Sequence, residues 1–227
     1  MRSRGLSGEG MTSDNTIIIA DDHPLFRGAL RQALGGPGKA THIVEASDFD
    51  TARQAATDNP DADLMLLDLS MPGTSGLTGL MMMRAEHQNI PVAVISATDD
   101  TPTIRRALEL GASAFISKSS GIEEIREAID AVLAGGFWTP PGFDAEREND
   151  PEIENLITRL KTLTPQQTRV LGMIGEGLLN KQIAYELGVS EATIKAHVSA
   201  ILLKLNVDSR TQAVIQMGKI AAMPGVN

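Results

Sequence analysis

The sequence has 227 residues and a net charge of −9 at pH 7, and this length allows one or two domains with a sizeable buried core. It contains no Cys, which excludes disulfides and thiolate metal sites and fits a reducing cytoplasm. No apolar run approaches the roughly 20 residues that a membrane-spanning helix needs, so we expect no membrane contact. Arg2 and Arg4 are followed by Gly, Ser and Glu instead of an apolar segment, and we interpret residues 1–15 as a disordered leader without a secretory signal.

The charge is unevenly distributed along the chain. Residues 160–227 hold seven Lys or Arg against four Asp or Glu, a net charge of +3, whereas residues 1–159 carry −12. This asymmetry indicates two domains with different tasks, and nucleic acid is a candidate partner of the second domain.

The first part of the chain alternates short apolar runs with helical patterns. The apolar runs occupy residues 16–20, 42–46, 64–67, 91–95 and 114–117, and the helical patterns occupy residues 24–34, 49–57, 76–87, 103–110 and 122–134. Strict alternation with short turns predicts an α/β domain, a doubly wound five-stranded parallel sheet with helices on both faces.

The third apolar run leads directly into Asp68, and Met71-Pro72-Gly73 then turns the chain. We therefore expect Asp68 at the carboxyl end of a buried parallel strand, where open α/β sheets bind their ligands. A helix cap or a solvated loop acid is the alternative interpretation of one isolated Asp. It is disfavoured here because the predicted strands bring five polar groups to the same edge: Asp21, Asp22, Asp68, Ser96 and Lys118.

The chemistry of this set is specific. Three converging carboxylates repel one another, and a hard divalent cation relieves that repulsion. Oxygen ligands without His or Cys suit Mg²⁺ better than Zn²⁺. Together with an Asp nucleophile, a Lys and a hydroxyl, they are typical of a phosphoryl-transfer site. Taken singly, Lys118 would be interpreted as a solvated strand end and Ser96 as a turn residue, so the prediction depends on the whole set.

Four motifs resemble the receiver domain of two-component response regulators of the NarL/FixJ type: Asp21-Asp22-His23-Pro24, Asp68-Leu69-Ser70-Met71-Pro72-Gly73, Ser96-Ala97 and Phe115-Ile116-Ser117-Lys118-Ser119. The resemblance covers about residues 16–136 and implies a flavodoxin-like fold and phosphorylation of Asp68 by a cognate histidine kinase. It also implies that Asp22, Asp68 and the carbonyl of Ser70 bind Mg²⁺, with Asp21 close by, and that Ser96 and Lys118 bind the phosphoryl group. Phe115 stands where the family has a rotating aromatic switch residue, usually Tyr, and offers no hydroxyl there.

Residues 137–160 are interpreted as a linker, because Pro140-Pro141-Gly142 breaks the pattern and a run of charged residues follows. A short helix over residues 152–161 leads out of it. Residues 161–227 are predicted to form a small all-α domain. Thr164-Pro165-Gln166-Gln167 is typical of a helix start, and Gly188-Val189-Ser190 joins two later helices, which indicates a helix-turn-helix.

The second helix of that pair presents polar and small residues outward: Ala192, Lys195, Ala196 and Ser199. Lys can read guanine, and Ala can meet the methyl group of thymine. We expect Lys181 and Lys204 at DNA phosphates, and the helix starting at Asn180 can direct backbone N–H groups at another phosphate. The helical pattern alone leaves an ordinary packing domain open as the alternative.

The motifs Leu163-Thr164-Pro165, Leu187-Gly188-Val189-Ser190 and Lys204-Leu205-Asn206-Val207 resemble the LuxR-type helix-turn-helix, over about residues 163–220. This resemblance implies binding to double-stranded promoter DNA. A homodimer is expected in the active state, because one small four-helix unit buries too little surface for tight specific binding. RNA polymerase is a further candidate partner. Gln167 and Ser199 depart from the residues that the family usually has at these positions.

The sequence therefore predicts a phosphorylation-controlled transcription regulator, in which modification of Asp68 alters dimerisation and promoter binding. One alternative stays open: a constitutive DNA-binding regulator whose receiver serves only for dimerisation. A phosphatase with Asp68 as its nucleophile is disfavoured, because such enzymes usually place a second Asp two residues later and Ser70 stands there. We accordingly expect that the protein is not an enzyme.

Overall fold

The computed structural model describes residues 15–35, 41–74, 76–144 and 150–221. Within these ranges the strands are β1 (Asn15–Ala20), β2 (Thr41–Ala46), β3 (Leu64–Asp68), β4 (Val92–Ser96) and β5 (Ala114–Ser117). The helices that alternate with them are α1 (Pro24–Leu34), α2 (Phe49–Asp58), α3 (Leu77–Glu86), α4 (Thr101–Glu109) and α5 (Ile122–Leu133). The remaining helices are α6 (Pro151–Leu160), α7 (Pro165–Gly175), α8 (Asn180–Glu186), α9 (Glu191–Leu205) and α10 (Arg210–Ala221). Of the predicted leader, residues 1–14 lie outside the described residues, and Asn15 begins β1.

The five strands form one parallel sheet in the order β2-β1-β3-β4-β5, which confirms the predicted fold class. Their side chains alternate between two core clusters. Ile17 and Leu64 face the cluster shared with α1 and α5, whereas Ile18 and Met65 face the cluster shared with α2, α3 and α4. Because all strands run the same way, their carboxyl ends lie along one edge.

The cluster on the α2–α4 side continues without interruption into the helices after the sheet. Helix α3 packs against α7, where a Cβ added to Gly172 would lie 2.5 Å from Met82 Sδ. Polar contacts flank it: Arg53 binds both carboxylate oxygens of Glu86, at 2.9 and 3.1 Å, and Arg169 Nε lies 3.8 Å from the same carboxylate. We call this contact between α3 and α7, with its flanking ion pairs, the interdomain seam.

Two segments of the predicted linker are packed against neighbours. Trp138 pairs with β5, since its N–H donates to the Ser113 carbonyl at 3.1 Å and its own carbonyl accepts from Phe115 at 3.3 Å. Helix α6 buries four apolar side chains and packs against α9 and α10. Arg159 fixes it further by donating to the Leu205 carbonyl at 3.0 Å. The spacing of the apolar residues in α6, three and four apart, explains why it packs instead of remaining solvated.

The predicted helix start at Thr164 is confirmed. The Thr164 hydroxyl accepts from the Gln167 N–H at 3.3 Å, and the Gln167 side chain accepts in return from the Thr164 N–H at 3.1 Å. This reciprocal pair satisfies two backbone donors that a helix would otherwise leave unpaired. It fixes the beginning of α7, the helix that forms the seam.

Candidate functional site

The carboxyl edge of the sheet collects the predicted polar groups. Asp68 is the last residue of β3 and Ser96 the last of β4, while Asp21 and Lys118 directly follow β1 and β5. Asp21 and Asp68 are each 1% exposed and Ser96 is fully buried. Two carboxylates buried this deeply need a compensating charge, since an unpaired buried charge is strongly unfavourable.

Lys118 supplies that charge. Its Nζ lies 2.8 Å from Asp21 Oδ2 and 2.8 Å from Asp68 Oδ2. The ammonium also stands 5.1 Å from the centre of the Phe26 ring, which adds a favourable cation–π contact. The Lys118 ammonium therefore links the carboxyl ends of β1, β3 and β5.

The pKa values of this pair reflect burial and mutual attraction. Burial raises the pKa of Asp68 above its ordinary value, although the hydrogen bond and the positive charge of Lys118 partly oppose this. Burial by itself would lower the pKa of Lys118, but its bonds to Asp21 and Asp68 outweigh burial and raise that pKa. Both shifts follow from burial of a carboxylate that is paired with one lysine.

A second group of ligand atoms lies beside the ion pair. One atom each from Asp21, Asp22, His23 and Asp68 lies within 4.8 Å of the others. Asp22 Oδ1 is buried, and the ring nitrogen Nδ1 of His23 lies 2.7 Å from it. The three carboxylates gathered at this edge fit a hard divalent cation such as Mg²⁺.

Ser70 and Ser96 flank Asp68. The Ser70 N–H donates to Asp68 Oδ1 at 3.1 Å, and the Ser70 residue is exposed at the rim. The Ser96 hydroxyl accepts from the Thr98 N–H at 3.0 Å. Phe115, at the predicted switch position, is fully buried in β5. The structure thus brings all the predicted receiver residues except Phe115 to one edge.

The helix-turn-helix consists of α8, α9 and the turn between them. Ile194, Ile201 and Leu205 bury the inner side of α9. Five predicted DNA-contacting residues are exposed: Lys181, Ala192, Lys195, Ala196 and Ser199. Lys195 Nζ lies 3.0 Å from Glu191 Oε1, an acid one helical turn earlier on the same face. We call the exposed face of α9 the recognition surface.

The other two predicted DNA-contacting residues make bonds within the domain. Lys204 Nζ donates to the Thr162 carbonyl at 2.7 Å and to Gln167 Oε1 at 2.8 Å. Nine residues separate Lys204 from Lys195, about two and a half helical turns, so the two side chains leave α9 on opposite sides. Asn180 Oδ1 accepts from Arg210 at 3.3 Å, which ties α8 to α10.

One member of the acidic cluster, His23, was not predicted from the sequence. The signal was present, because His23 directly follows the two acids that come after β1. What the sequence did not contain was the direction of its ring. The structure places its Nδ1 2.7 Å from Asp22 Oδ1 and 3.4 Å from Asp21 Oδ1.

Comparison with known proteins gives matches along most of the chain. Residues 17–130 match the family described as the response regulator receiver domain, and residues 161–217 match bacterial regulatory proteins of the luxR family. A glycerol metabolism activator of Pseudomonas putida is 41% identical over 210 residues, which cover 90% of this chain and 95% of that protein. The nitrate/nitrite response regulator protein NarL of Escherichia coli K12 is 32% identical over 205 residues, which cover 88% of this chain and 93% of that protein.

Solved structures agree in fold. The structure of the two-component response regulator RcsB in complex with DNA has a TM-score of 0.51 at 24% identity and covers 90% of this chain and 98% of its own. The structure of a LuxR-family two-component response regulator from Aurantimonas has a TM-score of 0.52 at 27% identity. The match covers 58% of this chain and 93% of that chain. Among the described residues, no helix combines the length and apolar character needed to cross a membrane. The two matched families, the relatives and the arrangement of the two domains together show that the chain belongs to the NarL-family response regulators, DNA-binding regulators that join a receiver domain to a LuxR-type helix-turn-helix.

Proposed function

We propose that this regulator is controlled by phosphorylation of Asp68 by a cognate histidine kinase, and that phosphorylation changes its dimerisation and its binding to promoter DNA. The observation that carries the proposal is the buried Asp68 carboxylate, held at 2.8 Å by Lys118 beside two further acids. A phosphoryl group adds about −1.5 to −2 charge at this point. Lys118 and the Ser96 hydroxyl are the groups placed to meet it.

Asp21, Asp22, Asp68 and the carbonyl of Ser70 are the proposed ligands of Mg²⁺. The bound cation would supply neutralisation of the negative charge that gathers on the phosphoryl oxygens. The protein supplies the remaining parts: the Ser70 N–H orients the Asp68 carboxylate, and Lys118 moves from the carboxylates to the phosphoryl group. Ser70 offers no second carboxylate for hydrolysis, so we propose a regulator and not an enzyme.

The proposed signal leaves the site through β4, β5 and α4. Lys118 N–H donates to the Ser96 carbonyl at 2.8 Å, so the two strand ends move together. Asp99, two residues before α4, accepts from the Ser117 hydroxyl at 2.7 Å. At the far side of α4, Arg106 donates to the Lys219 carbonyl of α10 at 3.2 Å. A shift of Ser96 and Lys118 towards the phosphoryl group would therefore change how α4 contacts the second domain.

One observation favours the alternative of constitutive DNA binding. The recognition surface is exposed while the receiver contacts α7 through the interdomain seam and α10 through α3 and α4. Phosphorylation is therefore not needed to uncover α9, and we propose that it acts on the pairing of protomers at promoter half-sites. Histidine kinase, a second copy of the chain and promoter DNA are the proposed partners, with RNA polymerase as a further one, and binding of promoter DNA implies the bacterial cytoplasm.

The experiment compares wild type, Asp68→Ala and a control, Asp61→Ala, which removes an exposed acid seven residues away. Each protein is incubated with Mg²⁺ and acetyl phosphate. Intact mass, light scattering and sequencing of co-purifying genomic DNA then report phosphorylation, dimerisation and binding. We expect wild type and the control to gain one phosphoryl group and bind DNA more tightly, and Asp68→Ala to do neither. Equal dimerisation and DNA binding by Asp68→Ala and treated wild type would instead establish the constitutive regulator.

A further inference from the structure

A cavity of about 190 Å³ lies beside the interdomain seam. Six of its lining residues divide equally between the two domains: Met81, Arg84 and Leu110 from the receiver, and Leu160, Lys161 and Leu163 from the second domain. Because both domains contribute walls, the shape of the cavity depends on their contact. A molecule bound there would touch the receiver and the DNA-binding domain at the same time. We call it the seam cavity.

The body of the seam cavity is apolar. Leu110 and Leu160 belong to the buried core that runs through both domains, and Met81 and Leu163 pack against that core. An engineered apolar cavity of about 150 Å³ binds benzene, which gives a scale for comparison. At about 190 Å³, the seam cavity has room for a ring of that size and one further small group.

Arg84 brings a fixed positive charge to the receiver wall. Its Nη1 donates to the Ile90 carbonyl at 2.8 Å and to the Gln88 carbonyl at 3.2 Å. Gly111 lies against the same side chain, since a Cβ added there would be 3.3 Å from Arg84 Nε. Burial lowers the pKa of the Arg84 guanidinium, because protein replaces part of the water around the charge. An anion bound beside it would compensate for that lost water.

Lys161 brings a second positive charge, from the wall formed by the second domain. It is the C-cap of α6 and is exposed. Glu109 senses the charge of Lys161, yet among the described residues no carboxylate forms an ion pair with Lys161 or with Arg84. Two cations beside an apolar cavity are complementary to an anion with an apolar body. A carboxylate fits best, because its two oxygens match the fork of a guanidinium.

We propose that the seam cavity binds a small monocarboxylate with an apolar body about the size of benzoate, and that this ligand favours the contact between the two domains. The carboxylate accepts hydrogen bonds from Arg84 and Lys161, and the apolar body packs against the leucines. A ligand that touches both walls binds the contacting domains more tightly than separated ones, and it shifts the population by that difference in affinity. None of the lining residues belongs to the carboxyl edge, so this input acts apart from phosphorylation of Asp68.

Calorimetry on the full chain, without Mg²⁺ or a phosphate donor, measures the binding of three probes. Benzoate has the ring and the charge, benzyl alcohol has the ring alone, and inorganic phosphate has the charge alone. We expect benzoate to bind about tenfold or more tightly than either of the others, because the site rewards both parts and hydrogen bonds to charged groups are the stronger ones.

Three variants test the two cations. Arg84→Gln should weaken benzoate about tenfold, and Lys161→Gln about threefold because that charge is exposed. Both should bind benzyl alcohol as wild type does. The control Arg31→Gln removes an exposed cation from α1 and should match wild type for every probe. Arg84 also supports two backbone carbonyls, so its melting temperature is measured as well. Lys161→Gln keeps the test decisive if Arg84→Gln unfolds.

Energy transfer between two dyes measures the effect on the domain contact. The chain contains no Cys, so Asp61→Cys and Thr211→Cys place one dye on an exposed position of each domain. Saturating benzoate should narrow the distribution of transfer efficiencies around the value of the contacting state. Benzyl alcohol at the same concentration should have less effect, and adding Lys161→Gln should reduce the response to benzoate.

Equal affinities for benzoate and benzyl alcohol would overturn the inference, because the cavity would then lack a site for the carboxylate. Phosphate binding as tight as benzoate binding would overturn it too, since the apolar body would contribute nothing. Wild-type affinity of both Lys161→Gln and Arg84→Gln would place benzoate elsewhere, and binding without a change in energy transfer would refute the link to the domain contact. Each of these results leaves phosphorylation of Asp68, and with it the proposed function, unaffected.

Discussion

The carboxyl edge and the recognition surface are built in opposite ways. At the edge, Asp21, Asp68 and Ser96 are buried, and the two acids share a lysine that follows another strand. On the recognition surface, Ala192, Lys195 and Ser199 are exposed, and Lys195 pairs with Glu191 on its own helix. Substitutions at the edge should therefore change stability and function together, whereas substitutions on the surface should change DNA binding alone.

The strongest test of this contrast is Lys118→Ala, for which we expect the largest effect. The substitution leaves two buried carboxylates facing each other without their cation, and breaking a buried ion pair costs about 3–5 kcal/mol of unfolding free energy when nothing replaces it. Lys118 keeps 15% of its side-chain surface exposed, so water offsets part of this and we expect about 2–3 kcal/mol. Urea unfolding without divalent ions measures this loss of unfolding free energy. Millimolar Mg²⁺ should recover part of the loss, and an unchanged midpoint in Lys118→Ala would refute the view that this lysine stabilises the edge.

A matched pair of helical glycines tests the interdomain seam. Gly218 in α10 has open space around an added Cβ among the described residues, whereas Gly172 in α7 has Met82 Sδ at 2.5 Å. Ala in a helix is favoured over Gly by about 1 kcal/mol, so Gly218→Ala should raise the melting temperature. At Gly172 the methyl group must displace Met82 at a cost of about 1–3 kcal/mol, so Gly172→Ala should lower it. A rise for both variants would show that α3 and α7 do not approach this closely in solution.

Two lysines on opposite sides of α9 allow the same comparison, of stability with DNA binding, within one helix. Lys204→Ala removes donors to Thr162 and Gln167, and we expect a loss of about 1 kcal/mol of unfolding free energy. Lys195→Ala should leave stability within about 0.5 kcal/mol of wild type, because the side chain is exposed. On DNA the order reverses: Lys195→Ala should weaken binding by about 1–3 kcal/mol and relax the base preference at its position, and Lys204→Ala should not. An unchanged affinity and base preference of Lys195→Ala would show that this lysine does not read a base.

The smallest expected effect is a pH dependence of the interdomain contact. Burial raises the pKa of Glu109 and of Glu176, and a facing acid raises each further: Glu154 for Glu109 and Asp50 for Glu176. Positive groups oppose this, namely Lys161, Arg105 and Arg106 at Glu109 and Arg53 at Glu176. Because the contacting state binds these protons more tightly than separated domains do, the contact should strengthen as the pH falls from neutral towards the ordinary Glu pKa of 4.5.

Small-angle scattering or energy transfer between dyes on the two domains measures this pH dependence. Glu109→Gln and Glu176→Gln together should make the domain separation independent of pH between about pH 7 and pH 5. A separation that grows as the pH falls would contradict the expected strengthening of the contact. The effect is small because both side chains keep substantial contact with water, which screens their charges.

Local sequence was sufficient for most of the fold. The apolar run before Asp68 and the turn after it predicted a buried strand end, and β3 ends at Asp68 with all its residues buried. The Thr164–Gln167 pattern likewise predicted the start of α7, since both capping partners lie within one helical turn. In these cases the interacting groups are close along the chain, so spacing and residue type are sufficient information.

The predictions for residues on α9 agree with the structure to different degrees. Ala192, Lys195, Ala196 and Ser199 share a face of α9 by helical periodicity, and the structure exposes all of them. Lys204 was expected at a DNA phosphate, and the structure bonds its ammonium to Thr162 and Gln167. The side of α9 on which Lys204 emerges follows from its number alone, whereas these two partners lie far away in the chain and no local pattern indicates them.

Residue types at short spacing were enough to establish the order of strands and helices, the groups at the carboxyl edge and the family of the two domains. Three contacts came from the folded chain instead: Lys118 binds two carboxylates at once, the His23 ring faces the acidic cluster, and Met82 meets Gly172 across the interdomain seam. These contacts join residues far apart in the chain or depend on a side-chain direction. Their geometry is set by the packing of whole helices and strands, which no local pattern encodes.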